Sequence, residues 1–183
     1  FGVHGWLGWV WPAADPGHLE RPQGGFALAL GGTWRPTRWL GLEFLAANLS
    51  ASYASAAAQG GPPSGFQSSS PLQLNETQFA ALVRLGWPVW ILEPWVGGGG
   101  MVGLGFLYWP ALAPSGAAET ISSTAFCGGP VLGAGLEAVV TRNVQLGGRW
   151  TWLRCKMDFG SLSNGTATMS GNVLLLGGGY WWP

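Results

Sequence analysis

Charge is what this sequence has least of. Only 9% of its 183 residues are Asp, Glu, Lys or Arg, where a soluble domain carries about 25%. So few charges cannot coat a water-facing globule. Acids and bases balance to a net charge of +0, which leaves no basic footprint for nucleic acid and excludes it as a partner. Cysteine and histidine are as scarce, at two each. They share no finger-like spacing, so the sequence offers no metal site, no cofactor motif and no disulfide-dense scaffold. Long apolar runs are missing too, and a spanning helix needs about 20 such residues. The best uncharged window, 94–118, is broken by Gly97, Gly98, Gly99, Gly100, Gly103, Gly105, Pro110 and Pro114, a composition that excludes one uninterrupted helix.

What the chain does contain is aromatic and alternating. Hydrophobic residues make up 48%, with 13 Trp and 32 Gly, too apolar for disorder. Around 76–87, Thr77, Phe79, Ala81, Val83, Leu85 and Trp87 alternate with Gln78, Ala80, Leu82, Arg84 and Gly86, the period of a strand. Val144, Leu146, Trp150 and Trp152 alternate likewise with Gln145, Gly147, Arg149 and Thr151. The whole chain reads as strands at roughly 2–11, 25–35, 39–53, 76–87, 90–109, 127–140, 144–157 and 169–182, most of them long enough for the about 9 to 11 residues of a tilted, bilayer-crossing strand.

The connections alternate in length. Pro36-Thr37-Arg38, Pro88-Val89 and Thr141-Arg142-Asn143 are tight turns, whereas 12–24, 54–75, 110–126 and 158–168 are long and rich in Gly, Pro, Ser and Ala. This pattern predicts an all-β fold, one domain over residues 1–183: an eight-stranded antiparallel up-and-down transmembrane β-barrel. Short turns and both termini lie on its periplasmic side and long loops outside. Closure removes the unpaired edges that hydrocarbon cannot tolerate. Indole rings favour the membrane interface, and the tryptophans fall at strand ends. Trp34 and Trp39 flank the first tight turn, Trp87, Trp90 and Trp95 the second; Trp181 and Trp182 end the chain on that side, and Trp11 and Trp109 sit where strands meet long loops.

Two stretches carry a resemblance. Gly133-Ala134-Gly135-Leu136-Glu137 followed by Thr141-Arg142-Asn143-Val144-Gln145-Leu146, and the ending with Leu174, Leu176, Tyr180 and Trp182 at alternate positions, resemble the last strands of the small outer-membrane barrels of the OmpA/OmpX type. The resemblance implies an eight-stranded barrel in the outer membrane of a Gram-negative bacterium, with an aromatic-terminated last strand that assembly machinery reads. Pro183 after Trp182 departs from that ending.

Glu43, Arg84, Glu93, Glu137 and Arg149 fall within strands. A cation facing lipid at mid-depth costs about 2–4 kcal/mol, so all five are expected to point inward. With Pro88-Val89 as a two-residue turn, Arg84 lies opposite Glu93; with Val140 opposite Val144, Arg149 is the diagonal neighbour of Glu137. Two inward ion pairs result, Glu43 joining one, in a lumen just wide enough for side chains to fill. Cys127 and Cys155 come within two residues of each other in the same register, so a slight bulge permits a disulfide.

These expectations describe a plugged structural or interaction barrel, with no catalytic, cofactor or metal residues. Its partners are membrane lipids, a neighbouring outer-membrane or cell-surface protein, or a second copy through outward glycines such as Gly98 and Gly100. Three other readings compete. A narrow solute conduit uses the space left by the glycines of 97–105 and 177–179. A lipid-modifying enzyme uses His4 or His18, the latter near Asp15, Ser50 and Ser52. A lipocalin-like carrier matches Gly32-Thr33-Trp34, but its outer face would need charge where this chain has Phe26, Leu28, Leu30, Val102, Leu104, Phe106 and Tyr108.

Overall fold

A computed structural model describes residues 1–13, 22–53, 67–68, 72–112, 115–158 and 166–182. The strands are β1 (Gly2–Ala13), β2 (Pro22–Trp34), β3 (Leu40–Tyr53), β4 (Gln67–Ser68), β5 (Leu72–Gly86), β6 (Leu92–Leu112), β7 (Ala118–Val139), β8 (Val144–Asp158) and β9 (Thr166–Trp181). Apart from the two-residue β4, each strand pairs antiparallel with its neighbours in the chain. Pairing of β1 with β9, from Gly2↔Trp181 to Ala13↔Ser170, closes the ring. The result is an eight-stranded, closed antiparallel barrel, and the described ends of the chain lie at the same end as the tight turns.

Alternation sorts the side chains. Outward positions hold Leu7, Trp9, Phe26, Leu28, Leu30, Phe44, Phe79, Val83, Leu104, Phe126, Leu132, Trp150 and Leu174, all exposed. This apolar band ends where outward residues turn polar. Asn48 Nδ2 donates to Thr77 Oγ1 at 3.3 Å and Trp150 Nε1 to Asn172 Oδ1 at 3.1 Å, and on β8 the exposed Arg154 and Lys156 follow. Inward positions divide along the axis. Val10, Ala27, Ala29, Leu45, Leu49, Val131, Leu153 and Val173 form an apolar core within the barrel, and Glu43, Arg84, Glu93, Glu137 and Arg149 are buried nearer the tight turns.

Three connections differ from the sequence-based expectation. The turn between β5 and β6 centres on Trp90 and Ile91, not on Pro88-Val89: Val89 and Leu92 exchange hydrogen bonds at 2.7 and 3.0 Å. A two-residue hairpin turn needs positive φ at its first central position, which the ring of Pro88 forbids. Trp90 takes that conformation, with φ 57°. The register moves accordingly, and Arg84 faces Gly97 rather than Glu93. The second difference is at 110–126, expected to be a long loop. Most of it is the outer part of a hairpin in which β6 and β7 stay paired to Leu112↔Ala118, and β4 joins its edge at Gln67↔Leu112. Small and proline-rich composition suggested a loop, but a two-stranded ladder supplies the backbone with partners whatever the side chains. Among the described residues of the turn, Gly116 takes the left-handed region, at φ +82°. Loop 54–75 is correspondingly shorter, since β5 begins at Leu72; 54–66 and 69–71 lie outside the described residues, as do 14–21 and 159–165.

Candidate functional site

The polar level of the lumen is assembled from strand ends. Glu43 on β3, Arg84 on β5, Glu93 on β6, Glu137 on β7 and Arg149 on β8 occupy inward positions within a few residues of the tight turns, and His4 and Trp6 on β1 and Thr33 on β2 complete the ring. The charges form one alternating chain. Arg35 Nη1 reaches Glu93 Oε2 at 2.6 Å and its Nη2 reaches Glu137 Oε2 at 3.3 Å. Arg84 Nη2 donates to Glu137 Oε1 at 2.6 Å, and its Nη1 lies 3.7 Å from Glu43 Oε2. Arg149 Nη1 donates to Glu43 Oε1 at 2.5 Å. Each carboxylate therefore meets at least one guanidinium, so none of the three acids is buried without a counter-charge, the arrangement that a desolvated ion demands.

Aromatic faces replace the water these guanidinium groups have lost. Arg84 stacks over Trp95 at 4.0 Å, Arg35 over Trp181 at 4.0 Å, and Arg149 lies 5.0 Å from Trp95 and 5.7 Å from Trp6. His4 is tied down at both nitrogens. Its Nδ1 accepts from Trp6 Nε1 at 2.6 Å, which leaves the proton on Nε2, 2.9 Å from Thr33 Oγ1 and 3.4 Å from Glu43 Oε1. Beyond this level the apolar core encloses a cavity of about 40 Å³, lined by Ala27, Ala29, Leu45, Leu49, Val131 and Leu153 among others.

The five charges singled out from sequence converge here, but not as the expected pairs. Arg84 turns to Glu137 and Glu43, and Glu93, four residues nearer the turn than the Gly97 that Arg84 faces, takes Arg35 instead. Glu137 does face Gly147, yet Arg149 extends across the lumen to Glu43 rather than along the wall. In so narrow a barrel a long side chain reaches an opposite strand as readily as its neighbour. The sequence points to neither Arg35 nor Glu76 as a lumen group, and to His4 only as a candidate general base. The signal was present: each continues the inward parity of its strand, Arg35 one step past the end of β2. Trp95, assigned to the interface, is instead buried in the lumen, as its inward position on β6 requires.

Trp34, Trp39, Trp87, Trp90 and Trp182 are exposed at the tight-turn end, and Trp9 and Trp11 at the other. Trp109 lies on β6 with its side chain outside the described residues, as are His18 and Asp15. Cys127 and Cys155 are joined by a disulfide with Cα atoms 5.6 Å apart, the close approach that the pair requires being made beyond the last paired residues of the β7–β8 ladder, Val131↔Leu153.

Space for Trp95 depends on a glycine. A Cβ on Gly135 would stand 2.6 Å from Trp95 Nε1 and 2.8 Å from Gly148 O. Gly135→Ala is therefore expected to lower stability by about 1–3 kcal/mol, the range for overpacking, and to disturb the near-ultraviolet circular dichroism of the Trp95 indole. An unchanged spectrum and melting profile would contradict this packing.

No protein-family profile matches the sequence, and no curated protein matches it. Solved structures do match in fold. Neisserial surface protein A superposes with a TM-score of 0.57 at 14% identity, covering 99% of this chain and 96% of that one. Ail, the attachment invasion locus protein of Yersinia pestis, solved with the heparin analogue sucrose octasulfate, gives 0.54 at 13% identity, covering 98% and 97%. A major outer membrane protein from Thermus thermophilus gives 0.52 at 12%, covering 97% and 98%. The chain thus has the fold of the small outer-membrane β-barrels.

Proposed function

We propose that this chain is an outer-membrane barrel of a Gram-negative bacterium that serves as a closed scaffold rather than as an enzyme or a pore. The observation that carries this reading is the alternating chain of three carboxylates and three guanidinium groups strung across the lumen and seated on Trp6, Trp95 and Trp181. Groups that lined a conducting pore would be solvated and set apart; these are held against each other, and all but the partly exposed Arg35 are buried. His4 is a poor general base for the same reason, since both its ring nitrogens are engaged inside the plug.

The outer face supports the membrane setting, because an uninterrupted apolar band around a barrel is lipid-facing surface. The tight turns then face the periplasm, and the β6–β7 hairpin stands outside, where it offers a surface to a neighbouring envelope protein or polysaccharide. Ail binds a polysulfated sugar analogue, but the outer hairpin here, residues 104–126, carries Glu119 and no Lys or Arg. An uncharged partner surface suits it better than a polyanion. Heat modifiability tests the setting directly. Protein extracted from the outer-membrane fraction is expected to migrate faster on a gel before boiling than after; an inner-membrane or soluble location, or no shift, would overturn the proposal.

A further inference from the structure

At the end of the lumen away from the ion chain, a second polar group has no place in the plug. Glu76 on β5 is fully buried. Its Oε1 lies 3.3 Å from Cys127 Sγ and its Oε2 has no hydrogen-bond partner. Two residues along the strand, the buried Gln78 leaves Nε2 unpartnered as well. One ligand atom each from Glu76, Cys127 and Cys155 lies within 4.8 Å of the others. The three come from three strands, which is why no sequence spacing announces them.

A disulfide is the wrong neighbour for this carboxylate. Oxidised sulfur carries no hydrogen to donate, so the disulfide offers the desolvated Glu76 no compensating bond. As thiols the same sulfurs become donors, and as thiolates they become, with the carboxylate, a donor set for a borderline-soft cation. We infer that Glu76, Cys127 and Cys155 form a redox-gated site for one thiophilic divalent cation of the zinc and cadmium class, closed as the disulfide and open as the dithiol.

Opening needs a dithiol reductant, which delivers two electrons and two protons to the Sγ–Sγ bond and is itself left as a disulfide. The cation then displaces both thiol protons to solvent. It is held by two thiolates and one carboxylate, three negative charges against its two positive ones, with a fourth tetrahedral position left open. The counter-charge that Glu76 lacks in the oxidised barrel is supplied by the metal itself.

Cadmium is the probe, because thiolate-to-cadmium charge transfer is visible in the ultraviolet. Folded protein in detergent, reduced with a dithiol that is then removed, is expected to bind one Cd²⁺ per chain with that band. The oxidised protein is expected to show none. X-ray absorption at the cadmium edge should report two sulfur neighbours and oxygen. Glu76→Gln, with its gel shift retained, should weaken binding by at least about tenfold, as loss of even an outer-shell partner does. Binding by the oxidised protein as tight as by the reduced, no binding by the reduced protein, sulfur-only coordination, or a folded Glu76→Gln that binds as the wild type does would each overturn the site.

Discussion

Glu43→Ala is expected to destabilise the barrel by about 3–5 kcal/mol, the cost of leaving a buried charge without its partner. Glu43 is the hub of the ion chain: Arg149 donates to it at 2.5 Å, Arg84 lies at 3.7 Å and His4 at 3.4 Å. Its removal leaves Arg149, which is fully buried, without a carboxylate among the described residues. The double variant Glu43→Ala/Arg149→Ala should lose less than the two single losses added together, because the second deletion removes the orphan made by the first. Arg84→Ala should also melt markedly lower, since it leaves Glu137 with the longer 3.3 Å contact to Arg35. Urea unfolding from lipid vesicles, followed by tryptophan fluorescence, measures all four proteins. Unchanged midpoints would mean that water, not the guanidinium groups, satisfies these carboxylates.

The second large effect is expected on the outside. Val83 lies in the middle of the apolar band on β5, and Thr77, on the same face, lies where the band turns polar. Val83→Arg should cost about 2–4 kcal/mol when the barrel is folded in a bilayer, and Thr77→Arg about 0–1 kcal/mol, because the penalty falls with distance from the midplane. The contrast is informative because both substitutions add the same cation to the same strand, one residue of parity away from the lumen. Equal penalties would mean that the band does not face hydrocarbon. Arg84, next in sequence to Val83, is inward and paired, so the strand already carries a cation at this depth on its other face.

Strand number, their antiparallel order and their inward and outward faces were legible because a period of two is a local property of the sequence. Outward Phe26, Leu28 and Leu30 and inward Glu43, Arg84 and Arg149 followed from parity alone. What parity does not contain is which inward groups meet. That depends on register, and register turned on one conformational detail: the fixed φ of Pro88 moves the turn to Trp90 and displaces Arg84 from Glu93. It depends also on reach across the lumen, which joins Arg149 to Glu43 and Arg84 to Glu137 between strands far apart in the chain. Arg35 was hidden by its place at the very end of a strand, beside the turn, although its parity was inward. Trp95 was hidden by its neighbours, for beside Trp87 and Trp90 it looks like a girdle residue until its side of β6 is counted. The hairpin at 104–126 was hidden by composition, since Ser, Ala and Pro advertise loops and give no sign of a ladder that their backbone forms.

Single-channel recording of the refolded barrel in a planar bilayer tests the proposed closed scaffold most directly, because a lumen closed by an ion chain and an apolar core would have no continuous path for ions. Successful insertion, verified by the heat-dependent gel shift, with no steady conductance is the predicted result. A steady, ohmic conductance from the wild-type protein would contradict it.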